Sequence, residues 1–324
     1  MVNVPAPTLQ TRGFPSKLDV MRESRRTPRM SRLHRGPKID DDSLLGQFIP
    51  IHYHYQMLTD PNRMGAFKSA IQHAVPIGSR VLELGGGTGV LSYFAAQRAS
   101  RVYCVERLPA NAAAARGFLE KNGVGDVVKV IEGDALEYLP PEPVDVVICE
   151  MLHSAMLREK QIPVIASFKQ RYLEKFGGTL PRFMPEALIL GVQAIEQDFD
   201  FDGFHAPVPL FSDPTDPRAR EISPPAVYSL FAYEDAFSQK FGWSGSLRIA
   251  VAGTVNALRF VTKNVLAVLV DEQRTIDWHM SYLVVPLPTP VTVAAGDSID
   301  VRFSYHGGDG LICLLESLEV RRSK

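Results

Sequence analysis

The run VLELGGGTGVLS, residues 81–92, constrains this chain more than any other. An apolar, strand-like segment ends in glycines, and a helix-compatible segment follows. Glycine permits the tight turn and left-handed backbone that such a reversal needs. The helix then opens with backbone N–H groups that lack intrahelical partners. A strand, glycine turn and helix in that order begin a parallel, doubly wound α/β sheet. The rhythm continues. RVYCVE, VVKVIEGD and VDVVICE read as further strands, and helices run through SYFAAQRA and PANAAAARGFLEKNG;. Lys121, Asn122 and Gly123 give the second helix a fitting C-terminal stop;.

Beyond GGTLPRFMP (177–185) the texture changes. ALILGVQAIE, SLRIAVAG, ALRFVTKNVLAVLV, SYLVVPL, VTVAAGDSIDVRFSYHG and GLICLLESLEV all read as strands, with no helix of comparable strength between them. This pattern predicts an antiparallel barrel or sandwich. A Pro-, Asp- and aromatic-rich excursion at 197–228 is too long for an ordinary loop and suggests partner contacts;. Upstream, 41–75 reads as helical, with Leu44, Leu45, Phe48 and Ile51 as one apolar stripe;. A second helix starts near Pro61 and carries Met64, Phe67 and Ile71;. Residues 1–40 are polar and basic, with Arg22, Arg25, Arg26, Arg29, Arg32 and Arg35. A loosely ordered tail, a targeting peptide and a partner-binding arm all fit that composition. The expected domains are a basic arm (1–40), an α/β domain with N-terminal helices (41–182) and a β-barrel domain (183–324).

A net charge of -1 gives no global field for nucleic acid or a membrane surface;. Cys104, Cys149 and Cys313 lie far apart without metal or redox spacing, so buried thiols in a reducing, cytoplasmic compartment are expected and no metal is;. No apolar stretch approaches the ~20 residues needed to cross a bilayer. The N-terminus has no secretory apolar core.

Gly85, Gly87 and Gly89 sit where a nucleotide-like ligand meets a helix N-terminus;. Glu106, ending the next strand, is placed to accept from ribose hydroxyls, and Asp134, after the third, to border an adenine edge. The G-G-G-T-G spacing differs from the G-x-G-x-x-G of dinucleotide-binding folds, which is the competing reading. With the fourth strand ending acidic in DVVICE, the set resembles the class I S-adenosylmethionine-dependent methyltransferases. That resemblance implies S-adenosyl-L-methionine as cofactor.

Glu150 and Glu159 bracket the next segment, EMLHSAMLRE. Two carboxylates on one short loop can clamp a cation, and a planar guanidinium with five donors is well matched to them. Here the chain resembles the protein arginine methyltransferase family, over roughly residues 44–320. The resemblance implies that Glu150 and Glu159 hold the guanidinium. It also implies that Met57 borders the methyl-transfer site, that Arg63 contacts the cofactor carboxylate, and that His54 lies near the cofactor. Counting back from the Gly296-Asp297 turn, His279 falls on the family's loop histidine, and Asp60 on the aspartate that partners it. The partners implied are an arginine-containing protein or a free guanidino compound as substrate, and a second copy of the chain joined through the 197–228 excursion.

Several positions depart from the family pattern. Met151, Leu152, His153 and Ser154 stand where it carries Trp, Met, Gly and Tyr. Trp278 and Met280 flank His279 in place of Thr and Trp. Leu44 and Phe48 replace paired tyrosines, although the HYHY run at 52–55 offers other polar aromatics. These changes open alternatives: methylation of another small metabolite on nitrogen or oxygen, or a catalytically silent protein that binds S-adenosylmethionine. An RNA substrate has only the basic arm in its favour, since no basic stripe with interleaved aromatics follows.

Overall fold

The computed structural model describes residues 49–323. The basic arm and the stripe residues Leu44, Leu45 and Phe48 lie outside the described residues. A 3-10 turn at Ile51–Tyr53 leads into α1 (His54–Thr59). Asp60 then caps α2 (Pro61–Ala74): its carboxylate accepts from the backbone N–H of Asn62 and Arg63, and Pro61 fills the first helical position;. Phe67, Ala70, Ile71 and Ala74 form the buried stripe of α2 at helical spacing;.

Five parallel strands follow: β1 (Arg80–Leu84), β2 (Arg101–Glu106), β3 (Val128–Glu132), β4 (Val146–Cys149) and β5 (Arg182–Met184). Their order is β3-β2-β1-β4-β5, so the sheet reverses direction of growth between β1 and β4. The connecting helices are α3 (Val90–Ala96), α4 (Pro109–Lys121) and α5 (Gln161–Phe176). β1, β2 and β4 are mostly apolar and, apart from Arg80 and Arg101 at their starts, buried, as parallel strands covered on both faces must be;. Sequence reading overlooked α5. Its buried Ile162, Ile165, Phe168 and Tyr172 keep helical spacing, and Pro163 is tolerated because it lies in the first turn;.

The chain then becomes antiparallel. β6 (Ala187–Gln197) and β13 (Gly253–Leu269) form the centre of a seven-stranded sheet ordered β10-β6-β13-β15-β9, with β11 on β6 and β14 on β13. The flanking strands are β9 (Leu210–Ser212), β10 (Ala219–Glu221), β11 (Ala226–Ala232), β14 (Arg274–His279) and β15 (Tyr282–Val293). A three-stranded sheet of β12 (Lys240–Arg248), β16 (Ser298–His306) and β17 (Glu319–Arg322) faces it. Aromatic rings join the two inner faces: Phe303 on β16 lies 5.2 Å from Phe260 and 5.0 Å from Tyr228;. This is the expected α/β domain followed by an antiparallel β-barrel domain.

Two expectations need correcting. GLICLLESLEV is not one strand: it forms α6 (Leu311–Ser317) and then β17. A short apolar run does not distinguish the two states by periodicity. SYLVVPL and the VTV run are also one strand, β15, which continues through both intervening prolines. The 197–228 excursion holds a small hairpin of β7 (Asp200–Phe201) and β8 (Phe204–His205), then β9 and β10, which return to the large sheet. Among the described residues, no helix is long and apolar enough to cross a membrane.

Candidate active site

The glycine turn lies where β1 meets α3. Gly85, Gly87 and Gly89 all take positive φ, at 79°, 54° and 78°. Gly87 has a second reason to be glycine: a Cβ there would stand 2.5 Å from Nε2 of His54;. His54 therefore rests directly on the turn. The turn is tied to β2 from both sides. Gly85 and Gly86 N–H donate to Val105 O at 3.0 and 2.9 Å, and Gly87 N–H donates to the Glu106 carboxylate at 2.8 Å. The other Glu106 oxygen accepts from Leu108 N–H at 2.8 Å. Glu106 is buried. Asp134 accepts from Leu136 N–H at 2.9 Å and lies 3.5 Å from Arg107 Nη1.

These groups line a cavity of about 620 Å³ at the carboxyl ends of β1 to β4. That is where open α/β sheets take ligands. His54, Met57, Asp60, Arg63, Gly85, Gly87, Glu106, Asp134, Glu150 and Glu159 all border it. Gly89 does not line it; it caps α3 one step behind, against Leu119.

Glu150 follows β4 and ion-pairs with Arg63 Nη2. The pair is nearly dry, with side-chain exposures of 7% and 11%. The Arg63 guanidinium also lies 5.5 Å from the Phe67 ring and 5.9 Å from that of Trp278;. Its Nη1 donates to Met57 O at 3.4 Å, and its Nε is buried without a partner. Burial and the Glu150 charge push the Glu159 carboxyl up to about 8, while Arg158 and Arg63 oppose them;. The two acids therefore feel each other across one space. A third acid, Glu83 on β1, is pushed up to about 7 by burial and accepts from Ser92 N–H at 2.9 Å and from the Ser92 hydroxyl.

The two-acid loop has an unusual backbone. Ala155, Met156 and Arg158 all take left-handed φ, at 57°, 58° and 61°. Such residues persist only where their surroundings fix them. At its start, Gln161 Oε1 accepts from Met151 N–H at 2.9 Å, and its Nε2 donates to Cys149 O at 2.8 Å. The barrel fixes the middle. Ala155 N–H donates to Thr262 Oγ1 at 2.7 Å, and Tyr305 OH donates to Ala155 O at 2.8 Å. Ser154 Oγ donates to Ser281 O at 2.6 Å.

The expected Asp60–His279 pair is not formed. Asp60 spends its carboxylate capping α2. His279 is exposed and does not line the cavity. Side chains alternate along β14, so the buried Trp278 faces the cavity and His279 faces away;. Met280 returns to the cavity wall. Alternation within RTIDWH could have placed Trp278 inward. Thr262 and Tyr305 gave no sequence signal, because their partner Ala155 lies more than a hundred residues away.

Comparison with known proteins bears on the domain and the fold. The family described as "Methyltransferase domain" covers residues 81–175. The fold is similar to that of a chain in the Trypanosoma brucei PRMT1 enzyme–prozyme heterotetrameric complex with AdoHcy. The TM-score is 0.66 at 19% identity, over 83% of this chain and 96% of that one. Protein arginine N-methyltransferase PRMT10 of Arabidopsis thaliana is 34% identical over 169 residues, 50% of this chain and 44% of the relative. Residues 81–175 thus match a methyltransferase domain, on a fold shared with protein arginine methyltransferases. The chain is also 31% identical over 134 residues to an arginine N(omega)-methyltransferase of Streptomyces achromogenes subsp. streptozoticus, 40% of this chain and 37% of that protein. An uncharacterized protein of Methanocaldococcus jannaschii is 27% identical over 270 residues, 83% of this chain and 95% of the relative. The two arginine methyltransferases matched in sequence are thus covered over less than half their length, and the Methanocaldococcus relative, covered nearly throughout, is described as uncharacterized.

S-adenosylmethionine is the cofactor of the methyltransferase. The residues present suit it: a glycine at 87 with positive φ packed against His54, an acid ending β2, and a buried Arg63 Nε still without a partner.

Proposed function

We propose that the methyltransferase transfers a methyl group to a guanidino nitrogen, of arginine in a protein or of free arginine or a related metabolite. The observation that carries this reading is Arg63, whose guanidinium already rests on Glu150 beside the charge-coupled Glu159. A pocket that seats one guanidinium against Glu150, with the acid Glu159 bordering the same cavity, has the charge and acceptors to take another;. Glu106, Asp134 and the glycine turn would hold the nucleoside, with His54 against the turn, and Arg63 the cofactor's carboxylate.

When bound, S-adenosylmethionine supplies an electrophilic methyl group on a sulfonium. The chain's own residues then have to orient the acceptor. Glu150 and Glu159 would grip the guanidinium and draw its charge toward the gripped nitrogens, leaving the remaining one better aligned for attack. Met57, Met151 and Trp278 wall the cavity and limit water there. Arginine has a pKa of about 13.8, so its proton leaves during or after transfer. Glu159, raised to about 8, holds a proton in the free site at neutral pH; once a bound guanidinium has expelled it, Glu159 is the acceptor at hand, whereas Asp60 and His279 do not meet;.

A different small-molecule acceptor is the second reading. It is favoured because Arg63 already neutralises Glu150, and because Met151, Leu152 and Met280 make the wall apolar. A homodimer through the excursion belongs to the same proposal, supported by Phe204 on β8, which is 71% exposed;. So does a cytoplasmic setting, in keeping with the buried thiols of Cys104 and Cys149. The deciding experiment offers labelled S-adenosylmethionine with free guanidino compounds and, separately, with Arg-rich polypeptides. Label on a guanidino nitrogen, found by mass spectrometry, is expected; label only on other acceptors would overturn the reading.

A further inference from the structure

The two-acid loop grows from one domain and takes its shape from the other. Ala155 sits midway between Glu150 and Glu159 and holds φ at 57°, a region that a residue with a Cβ enters only when constrained;. Both of its backbone polar groups are bound by the barrel: Thr262 Oγ1 accepts its N–H, and Tyr305 OH donates to its carbonyl. Behind Tyr305, the Tyr228 hydroxyl lies 2.7 Å from the Tyr305 hydroxyl. Thr262 is fully buried on β13, and Tyr305 is buried on β16, so Ala155 is gripped from two different sheets. Burial raises both phenols above their ordinary range, so they stay protonated and able to donate. Gly308 N–H donates to Met156 O at 2.8 Å, and Arg158 N–H donates to Asp309 O at 2.7 Å, which extends the grip to the next two left-handed residues.

We propose that Tyr305, backed by Tyr228 and joined by Thr262, is a positioning residue that sets the spacing of Glu150 and Glu159 by holding Ala155 left-handed. This rests on the guanidino reading of the two acids. None of the three touches the cavity; they act through the loop backbone.

The test uses the full chain as wild type, Tyr305→Phe, and Tyr305→Phe combined with Ala155→Gly. Free arginine and an Arg-rich peptide serve as acceptors. Tyr305→Phe is expected to lower kcat about tenfold while cofactor affinity stays within about twofold. Ala155→Gly should recover most of the loss, because glycine takes positive φ without a Cβ clash. Amide hydrogen exchange across 150–160 should rise in the single variant and fall back in the double, with β13 and β16 unchanged. Unaltered turnover and exchange in Tyr305→Phe would overturn the inference. So would a loss that Ala155→Gly does not relieve and that comes with faster exchange throughout the barrel, since that marks a tyrosine needed only for folding. If wild type methylates neither acceptor, the guanidino reading fails, and loop exchange alone decides the positioning role.

Discussion

Arg63 on α2 and Glu150 at the end of β4 form a buried ion pair inside the nucleotide cavity, eighty-seven positions apart in sequence. The pair fixes α2 across the mouth of the parallel sheet. Under the proposed function Arg63 also meets the cofactor's carboxylate, which would compete with Glu150 for its charge.

Arg63→Leu would leave Glu150 a buried acid without its cation. A cost of about 3 kcal/mol is expected, since removing one member of a buried pair strands the other. Urea unfolding at neutral pH measures it. A change below about 1 kcal/mol would mean that water reaches Glu150 freely.

Glu150→Gln keeps the shape of the site and removes one charge from the clamp. Turnover should fall by at least about a hundredfold. Affinity for S-adenosylhomocysteine, read by calorimetry, should stay within a few-fold. Near-normal turnover would remove Glu150 from the acceptor site.

Glu159 makes stability depend on pH in a definite direction. Its carboxyl is raised from 4.5 to about 8, so the folded state holds a proton that the unfolded chain has released. Its contribution is complete below pH 4.5 and is lost as pH climbs through 8;. Between those limits wild type should lose stability relative to Glu159→Gln, on the order of 1–3 kcal/mol. Parallel unfolding curves at every pH would contradict the raised carboxyl. Binding of a guanidinium should also expel that proton, seen as a buffer-dependent heat in calorimetry.

Gly87→Ala places a methyl group against His54 on a backbone with φ of 54°. Cofactor affinity should drop by about tenfold or more. Adding His54→Ala should restore part of it by opening space, but not the part due to backbone strain. Full affinity in the single variant would mean that His54 swings away at no cost.

The sequence exposed what obeys local rules. Glycines between an apolar strand and a helix made the α/β sheet legible, and acids at strand ends made Glu106, Asp134 and Glu150 legible, because the chemistry of each position shows in a few neighbouring letters. Asp60 was legible as important but not as a cap, although it precedes Pro61 in the manner of one. His279 was misplaced by counting across a strand where one residue decides the face. The grip of Thr262, Tyr305 and Gln161 on the loop could not be read at all. It depends on how two sheets meet, and no pattern near Ala155 announces it.

The glycine turn and its acid partner are complete by the end of β2, within a third of the chain. The left-handed loop has to wait for Thr262 and Tyr305, which come near the far end. A shortened or half-folded product could therefore retain the donor pocket while its acceptor side stayed unshaped, so finishing the whole polypeptide is itself a checkpoint on chemistry.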